Sequence, residues 1–280
     1  MVLLHIMTID AHQHFWFYTP DRDTWITDDM AVIRRDFLPA DLEPILQANG
    51  IDGCVAVQAD QSEAETILLV SLANAYGFIK GVVGWVDLRA NNLYDKLEAY
   101  SQYEELKGFR HVAQAEPDDF LSQPAIINGI RQLAAFDFTY DILIYPNQLK
   151  AALQLVRDVP QVKFVIDHLA KPNVKKGEIT RWSNWMAELA KESNVSCKLS
   201  GMVTEGDWHG WSKKDFFPYL DVAFREFGPD RLLFGSDWPV CLVAADYTQV
   251  KTVIEEYVSP WGNEVRNKVF GGNAVKFYGL

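Results

Sequence analysis

Three short runs place acid–base or metal-ligating side chains at the ends of apolar segments. The first is Ile9-Asp10-Ala11-His12-Gln13-His14. In an extended chain His12 and His14 share one face, and Ile9 and Ala11 take the other, suited to packing against helices. Two adjacent imidazoles can bind a metal or grip an anionic oxygen; they can also be ordinary polar residues at a strand end. The second run, Phe164-Val165-Ile166-Asp167-His168-Leu169, ends a buried-type strand in Asp-His. Alternation sets His168 on the face of Phe164 and Ile166, so it is expected to point inward above them. The alternative is a core histidine bonded to a neighbour. The third run, Leu232-Leu233-Phe234-Gly235-Ser236-Asp237-Trp238-Pro239, puts Leu233, Gly235 and Asp237 on one face. A carboxylate ending such a strand costs free energy unless it is paired, metal-bound or chemically used. An N-cap is the plain alternative.

Two cations accompany these groups. Arg110 ends Gly108-Phe109-Arg110-His111, and Lys198 lies within Val195-Ser196-Cys197-Lys198-Leu199-Ser200. Each falls on a polar or glycine-bearing face, where it can hold a substrate oxygen or offset Asp237. For Lys198 a structural ion pair is an equal alternative. His111 takes the face opposite Arg110 and reads as structural. His5 comes too early in its strand to reach the site, and His209 lies in a loop after Trp208. Trp16, Trp25, Trp208, Trp211 and Trp238 crowd strand ends and the loops after them. Their faces can cover the C–H side of a sugar ring, or simply pack together. Gln58, Tyr145 and Asn147 can offer hydrogen bonds to hydroxyls.

These residues must be held by something regular. Eight β-rich runs alternate with helical stretches: 8–15, 52–58, 81–87, 107–112, 139–145, 163–169, 195–201 and 232–238. Such alternation predicts parallel strands with right-handed crossovers, and eight units predict one closed (β/α)8 TIM-like barrel over residues 1–280, with chemistry at the C-terminal strand ends. An open doubly wound sheet would carry a glycine-rich turn after its first strand, and here that place reads His-Gln-His-Phe-Trp. Helix signals fit between the strands. Ser62 with Glu65 reads as a capping box, Gly77 as the following C-cap, and Pro39 opens a helix to Asn49 that Gly50 ends. The segment 180–192 puts Trp182, Trp185, Met186 and Leu189 on one face, as packing.

Composition narrows the partners. Against 26 Lys and Arg stand 38 Asp and Glu, a formal charge of −12. Nucleic acid and anionic membranes repel such a chain, so neither is an expected partner. No apolar run approaches the roughly 18 residues of a membrane span. Cys54, Cys197 and Cys241 are few and far apart, which argues for a reducing compartment rather than a disulfide framework. The stretch before Asp10 lacks the basic region of a secretory signal. A cytoplasmic protein, monomer or homo-oligomer, is expected.

Six pieces in order carry a resemblance: 9–16, Lys-Gly-Phe-Arg-His (107–111), Val-Ile-Asp-His-Leu-Ala-Lys-Pro (165–172), Cys-Lys-Leu-Ser-Gly (197–201), Leu-Phe-Gly-Ser-Asp-Trp-Pro (233–239) and Gly-Gly-Asn-Ala (271–274). They span nearly the whole chain, which resembles the amidohydrolase superfamily, in its branch of sugar lactonases and pyrone dicarboxylate lactonase. The resemblance implies a hydrolase in which Asp237 is the general base, with His12, His14, His168 and Arg110 around the reacting carbonyl. Members with metals also place a histidine at the end of strand five and a bridging lysine or glutamate on strand four; here strand five runs Thr-Tyr-Asp-Ile-Leu-Ile-Tyr and strand four offers Arg110. That argues against two metals. No required cofactor is expected, with one zinc on His12, His14 and Asp237 as the variant. The expected substrate is a neutral sugar lactone, such as a fucono- or rhamnonolactone, touched by Trp16, Gln58, Lys198, Tyr145, Trp208 and Trp238. A dicarboxylate would require more arginines than Arg110 alone. A zinc amidohydrolase, a decarboxylase or a pyrone dicarboxylate lactonase is the alternative. Loops 16–28 and 207–212 are the candidates for closing over substrate.

Overall fold

The computed structural model describes residues 7–280, so His5 lies outside the described residues. Eight parallel strands pair in chain order: β1 (Ile9–Gln13), β2 (Gly53–Val57), β3 (Ile79–Gly84), β4 (Leu106–His111), β5 (Thr139–Ile142), β6 (Phe164–Ile166), β7 (Val195–Leu199) and β8 (Leu232–Phe234). Beyond β8 the ring closes onto β1: the His14 N–H donates to the Trp238 carbonyl at 2.7 Å, and the Asp237 N–H to the His12 carbonyl at 2.8 Å. The (β/α)8 barrel is therefore as expected. Every strand ends sooner than its sequence run, by one residue in β2 and by four in β8. In those extra residues the backbone leaves the ladder to aim side chains.

Around the strands run α1 (Pro39–Ala48), α2 (Glu63–Ala75), α3 (Leu93–Tyr100), α4 (Pro124–Leu133), α5 (Leu149–Asp158), α6 (Thr180–Ala190), α7 (Met202–Glu205), α8 (Lys213–Phe227), α9 (Tyr247–Val258), α10 (Gly262–Asn267) and α11 (Asn273–Tyr278). α1 starts at Pro39 and is stopped by left-handed Gly50, as its residues require. α6 buries Trp182, Met186 and Leu189, with Trp185 half-buried. Two cap readings change. Ser62 does accept from the Glu65 N–H, but the Glu65 carboxylate turns away to the Ala59 and Asp60 N–H groups, so the reciprocal half of the box is absent. Gly77 is not left-handed and does not cap α2, which ends at Ala75.

The apolar core has two parts. Ile9, Ala11, Val55, Val57, Val83, Val165 and Leu233 fill the barrel interior, sealed by Phe277 and Tyr278 of α11. Alternate strand residues, among them Cys54, Ala56, Phe109, Tyr140, Phe164, Ile166 and Phe234, pack under the helices. Two expected facings are thereby overturned. Ile9 and Ala11 point inward, because the β1–β2 register slips between Asp10 and Gln13, where three steps of β1 match two of β2. This extra residue lets Ala11 and both histidines serve the same interior. In β6 the inward residue is Val165, so alternation sends Asp167 inward, and Phe164 and Ile166 lie beneath helices.

Candidate active site

His168 reaches the barrel mouth by a turn rather than by strand alternation. After β6, four non-glycine residues in succession are left-handed: His168, Leu169, Ala170 and Lys171, with φ of 53°, 52°, 57° and 48°. Each such residue costs on the order of 1–3 kcal/mol and persists only where its surroundings hold it. Asp237 is left-handed too, at φ 59°. Glycines make room for the rings. A Cβ on Gly201 (φ +64°) would lie 2.5 Å from His168 Nδ1, and one on Gly235 would lie 2.7 Å from His12 Cβ.

Four side chains then converge. Asp237 Oδ1 lies 3.5 Å from His14 Nε2, 3.8 Å from His168 Nε2 and 3.9 Å from His12 Nε2. His12 and His14 bring their Nε2 atoms within 3.2 Å of each other. Each ring is held from behind. His14 Nδ1 donates to the Val57 carbonyl at 2.7 Å, which leaves a lone pair on Nε2 when the ring is neutral. His168 Nδ1 meets Ser200 Oγ at 2.9 Å. Burial lowers the pKa of all three imidazoles, most strongly for His12 and His168, so they are neutral near pH 7. Burial alone would raise Asp237, but His168, His14 and Lys171 together outweigh it, and the group is a carboxylate.

Beneath His12 lies a fully buried charge network. Lys198 Nζ sits 2.6 Å from Asp141 Oδ2, 3.0 Å from Asp167 Oδ1 and 3.0 Å from His12 Nδ1. Tyr278 Oη donates to Asp141 from below. Arg110 bonds Asp167 at 3.1 Å, approaches His12 Nε2 at 3.2 Å and donates to the Gln58 carbonyl. Burial pushes Asp141 up to about 6 against the pull of Lys198. Asp167 is held well below the carboxylate range, because Lys198, His12 and Arg110 overcome its burial. Lys198 is thus an internal counter-ion, and its reading as a substrate contact is corrected. An ammonium has three donors, and Asp141, Asp167 and His12 take all three.

The upper cluster fits a single divalent ion. Ligand atoms of His12, His168 and Asp237 lie within 4.8 Å of one another, near enough for a small movement to bring them to the roughly 3.3 Å separation that zinc–nitrogen bonds of about 2.0–2.1 Å set in a tetrahedral site. The His12–His14 contact at 3.2 Å is a hydrogen bond when His12 Nδ1 accepts from Lys198 and Nε2 carries the hydrogen; with the hydrogen on Nδ1, facing Asp167, both Nε2 lone pairs are free for an ion. The carbonyl behind His14 and the hydroxyl behind His168 supply the outer partners that metal-bound imidazoles use. The grouping that could hold an ion is thus His12, His168 and Asp237, with His168 in place of the His14 of the expected set. A second grouping, His12 with Asp141 and Asp167, is already occupied by the Lys198 ammonium.

The other expected contacts divide. Trp238 is buried between Phe15 and Phe37, away from any ligand, which corrects its assignment as a substrate face. Trp16 is also buried; its Nε1 donates to the Arg35 carbonyl, and its ring backs His14 at 6.5 Å. Gln58 is buried with its amide nitrogen on the Arg110 carbonyl, while its Oε1 has no partner. Tyr145 is exposed at the end of β5. Asn147 Nδ2 donates to Asp118. Trp208 and His209 line a cavity of about 430 Å³ together with Asp29, Asn173, Thr204 and Glu205. Trp211 is tied to the Ala244 carbonyl. His111 is structural as expected, between Trp85 Nε1 and Glu116 and stacked on Phe120. Asp141, Asp167, Asp10 and Glu205 were missed. For the first two the signal was present: a carboxylate inside an apolar strand, the same cost that singled out Asp237. Asp10 holds the Ser236 and His12 N–H groups and so ties β8 to β1.

A family model described as amidohydrolase matches residues 9–280. The chain is 37% identical to L-fucono-1,5-lactonase of Burkholderia multivorans over 286 aligned residues, covering 98% of this chain and 96% of that one. A crystal structure of an amidohydrolase (cog3618) from Burkholderia multivorans with bound zinc superposes with a TM-score of 0.95 at 37% identity, covering 98% of this chain and 99% of that one. A probable 2-pyrone-4,6-dicarboxylic acid hydrolase from Acinetobacter baumannii shares the fold, with a TM-score of 0.81 at 17% identity over 98% of this chain and 99% of that one.

Proposed function

This chain belongs to the amidohydrolase family, and on that footing we propose that it hydrolyses a sugar-derived lactone with Asp237 as general base. The observation that carries the reading is the convergence of an ionised, buried Asp237 with three neutral imidazoles at the barrel mouth. The lactonase named above supports the substrate class, with L-fucono- or L-rhamnonolactone as the candidates. A cavity formed by the loops after β6 and β7 agrees with it: Asp29, Glu205 and Asp207 line that cavity against Lys175, a poor setting for a dicarboxylate and an acceptable one for hydroxyls.

Water attacks the carbonyl carbon of the ring ester and gives a proton to Asp237. The new oxyanion is met by His168, whose Nε2 carries hydrogen when Ser200 donates to Nδ1. The ring C–O bond then breaks, and the leaving alkoxide takes the proton from Asp237, giving an open hydroxy acid. Were a divalent ion held by His12, His168 and Asp237, it would supply carbonyl polarisation in place of the His168 hydrogen bond and would lower the pKa of water.

The test is a pH-indicator screen of aldonolactones, with and without chelator, on wild type and Asp237→Asn. The variant is expected to lose at least about two orders of magnitude in kcat. Undiminished turnover of an active lactone by Asp237→Asn refutes the mechanism. Stoichiometric zinc whose removal abolishes turnover would establish a metal-dependent form of it.

A further inference from the structure

Two charged groups at the mouth have no part in the steps above. The left-handed run that delivers His168 also delivers Lys171 three residues later, with its N–H bonded to the His168 carbonyl at 2.8 Å. Its ammonium lies 3.7 Å from Glu205 Oε1 on α7 and 5.7 Å above the Tyr145 ring. Both side chains are mostly buried, at 18% and 20% exposure. Yet 3.7 Å is too long for a hydrogen bond, and neither group makes one to another described side chain. Glu205 also lines the cavity between the loops after β6 and β7, beside Thr204 and Trp208. His168, three residues before Lys171 in the same turn, has its Nε2 3.8 Å from Asp237, so the pair borders the reacting centre.

We propose that Lys171 and Glu205 form a hydroxyl-recognition pair that selects lactones carrying a hydroxyl on the carbon next to the carbonyl. This rests on the lactonase reading. A hydroxyl is both donor and acceptor, so a single one can donate to the Glu205 carboxylate and accept from the Lys171 ammonium. A carboxylate in that place would be repelled by Glu205, and a methylene would leave both ions dry and unbonded. The exposed Tyr145 ring beside Lys171 offers an apolar wall for the C–H side of the same sugar. The cavity, at about 430 Å³, is within the size of small-ligand pockets. Four consecutive strained residues also gain a second purpose: they set the oxyanion partner and the hydroxyl donor at a fixed separation.

The experiment compares kcat/KM for an aldonolactone that the wild type hydrolyses and for its 2-deoxy analogue. Wild type is expected to prefer the parent by roughly 10- to 150-fold, the range for a hydrogen bond to a charged group. In Glu205→Gln and in Lys171→Met that preference is expected to shrink to within about threefold, chiefly by loss on the parent. Thermal melting checks that each variant is folded; should Glu205→Gln fail, Lys171→Met carries the comparison. Equal use of the two lactones by wild type, or an undiminished preference in the folded variants, overturns the pair and leaves the lactonase reading intact. If no aldonolactone is hydrolysed at all, both fall together.

Discussion

Replacing Lys198 by methionine separates an internal counter-ion from a substrate contact. The ammonium has no exposed surface and lies 2.6 Å from Asp141 and 3.0 Å from Asp167. At an effective dielectric of about 20 these two attractions are each worth roughly 5–6 kcal/mol, most of it spent on desolvating the ions. Methionine fills a similar volume and removes the charge. Asp141 then keeps only the Tyr278 hydroxyl, while Asp167 keeps Arg110 and His12. Breaking a buried pair in this way typically costs about 3–5 kcal/mol, a large share of a total stability of about 5–15 kcal/mol. Melting followed by tryptophan fluorescence should fall by roughly 6–15 °C. Adding Asp141→Asn should recover at least about half of the loss, since the stranded carboxylate is the main penalty, and the double-mutant cycle reads that coupling directly. Were Lys198→Met to melt within about 2 °C of wild type while KM rose, the ammonium would be a substrate contact and the network would be misread.

Two further outcomes follow from the same packing. Gly201→Ala places a Cβ 2.5 Å from His168 Nδ1 at a left-handed position; kcat should fall about 100-fold, since displacing a catalytic group by roughly 1 Å costs that much, and a rate within threefold of wild type would argue against His168 as a participant. Glu65 is buried, and that burial lifts its pKa from 4.5 to about 7. A carboxyl raised in the folded state stabilises it fully below pH 4.5 and loses that contribution as pH rises through 7. The advantage of wild type over Glu65→Gln should therefore shrink by about 3 kcal/mol between pH 4.5 and pH 8, measured as urea midpoints; a constant gap would show that Glu65 titrates normally.

Much of the architecture was legible in the chain because it depends on local periodicity. Apolar runs of strand length between amphipathic helices can close in few ways, and eight of them make a barrel. His12, His14 and Asp237 were legible for a related reason: strand alternation and the cost of a charge at an apolar strand end are rules that a single segment carries. What alternation could not supply was decided by tertiary contacts. One inserted residue in β1 turned Ile9 and Ala11 inward. The left-handed turn after β6 placed His168 and Lys171, a conformation that non-glycine residues adopt only when neighbours such as Gly201 make the space. Trp238 was lost to the core between Phe15 and Phe37, and Lys198 to Asp141, 57 residues away in sequence. Residue types record which groups can bond; only the closed barrel determines which partners arrive within 3 Å and whether water is left to compete for them.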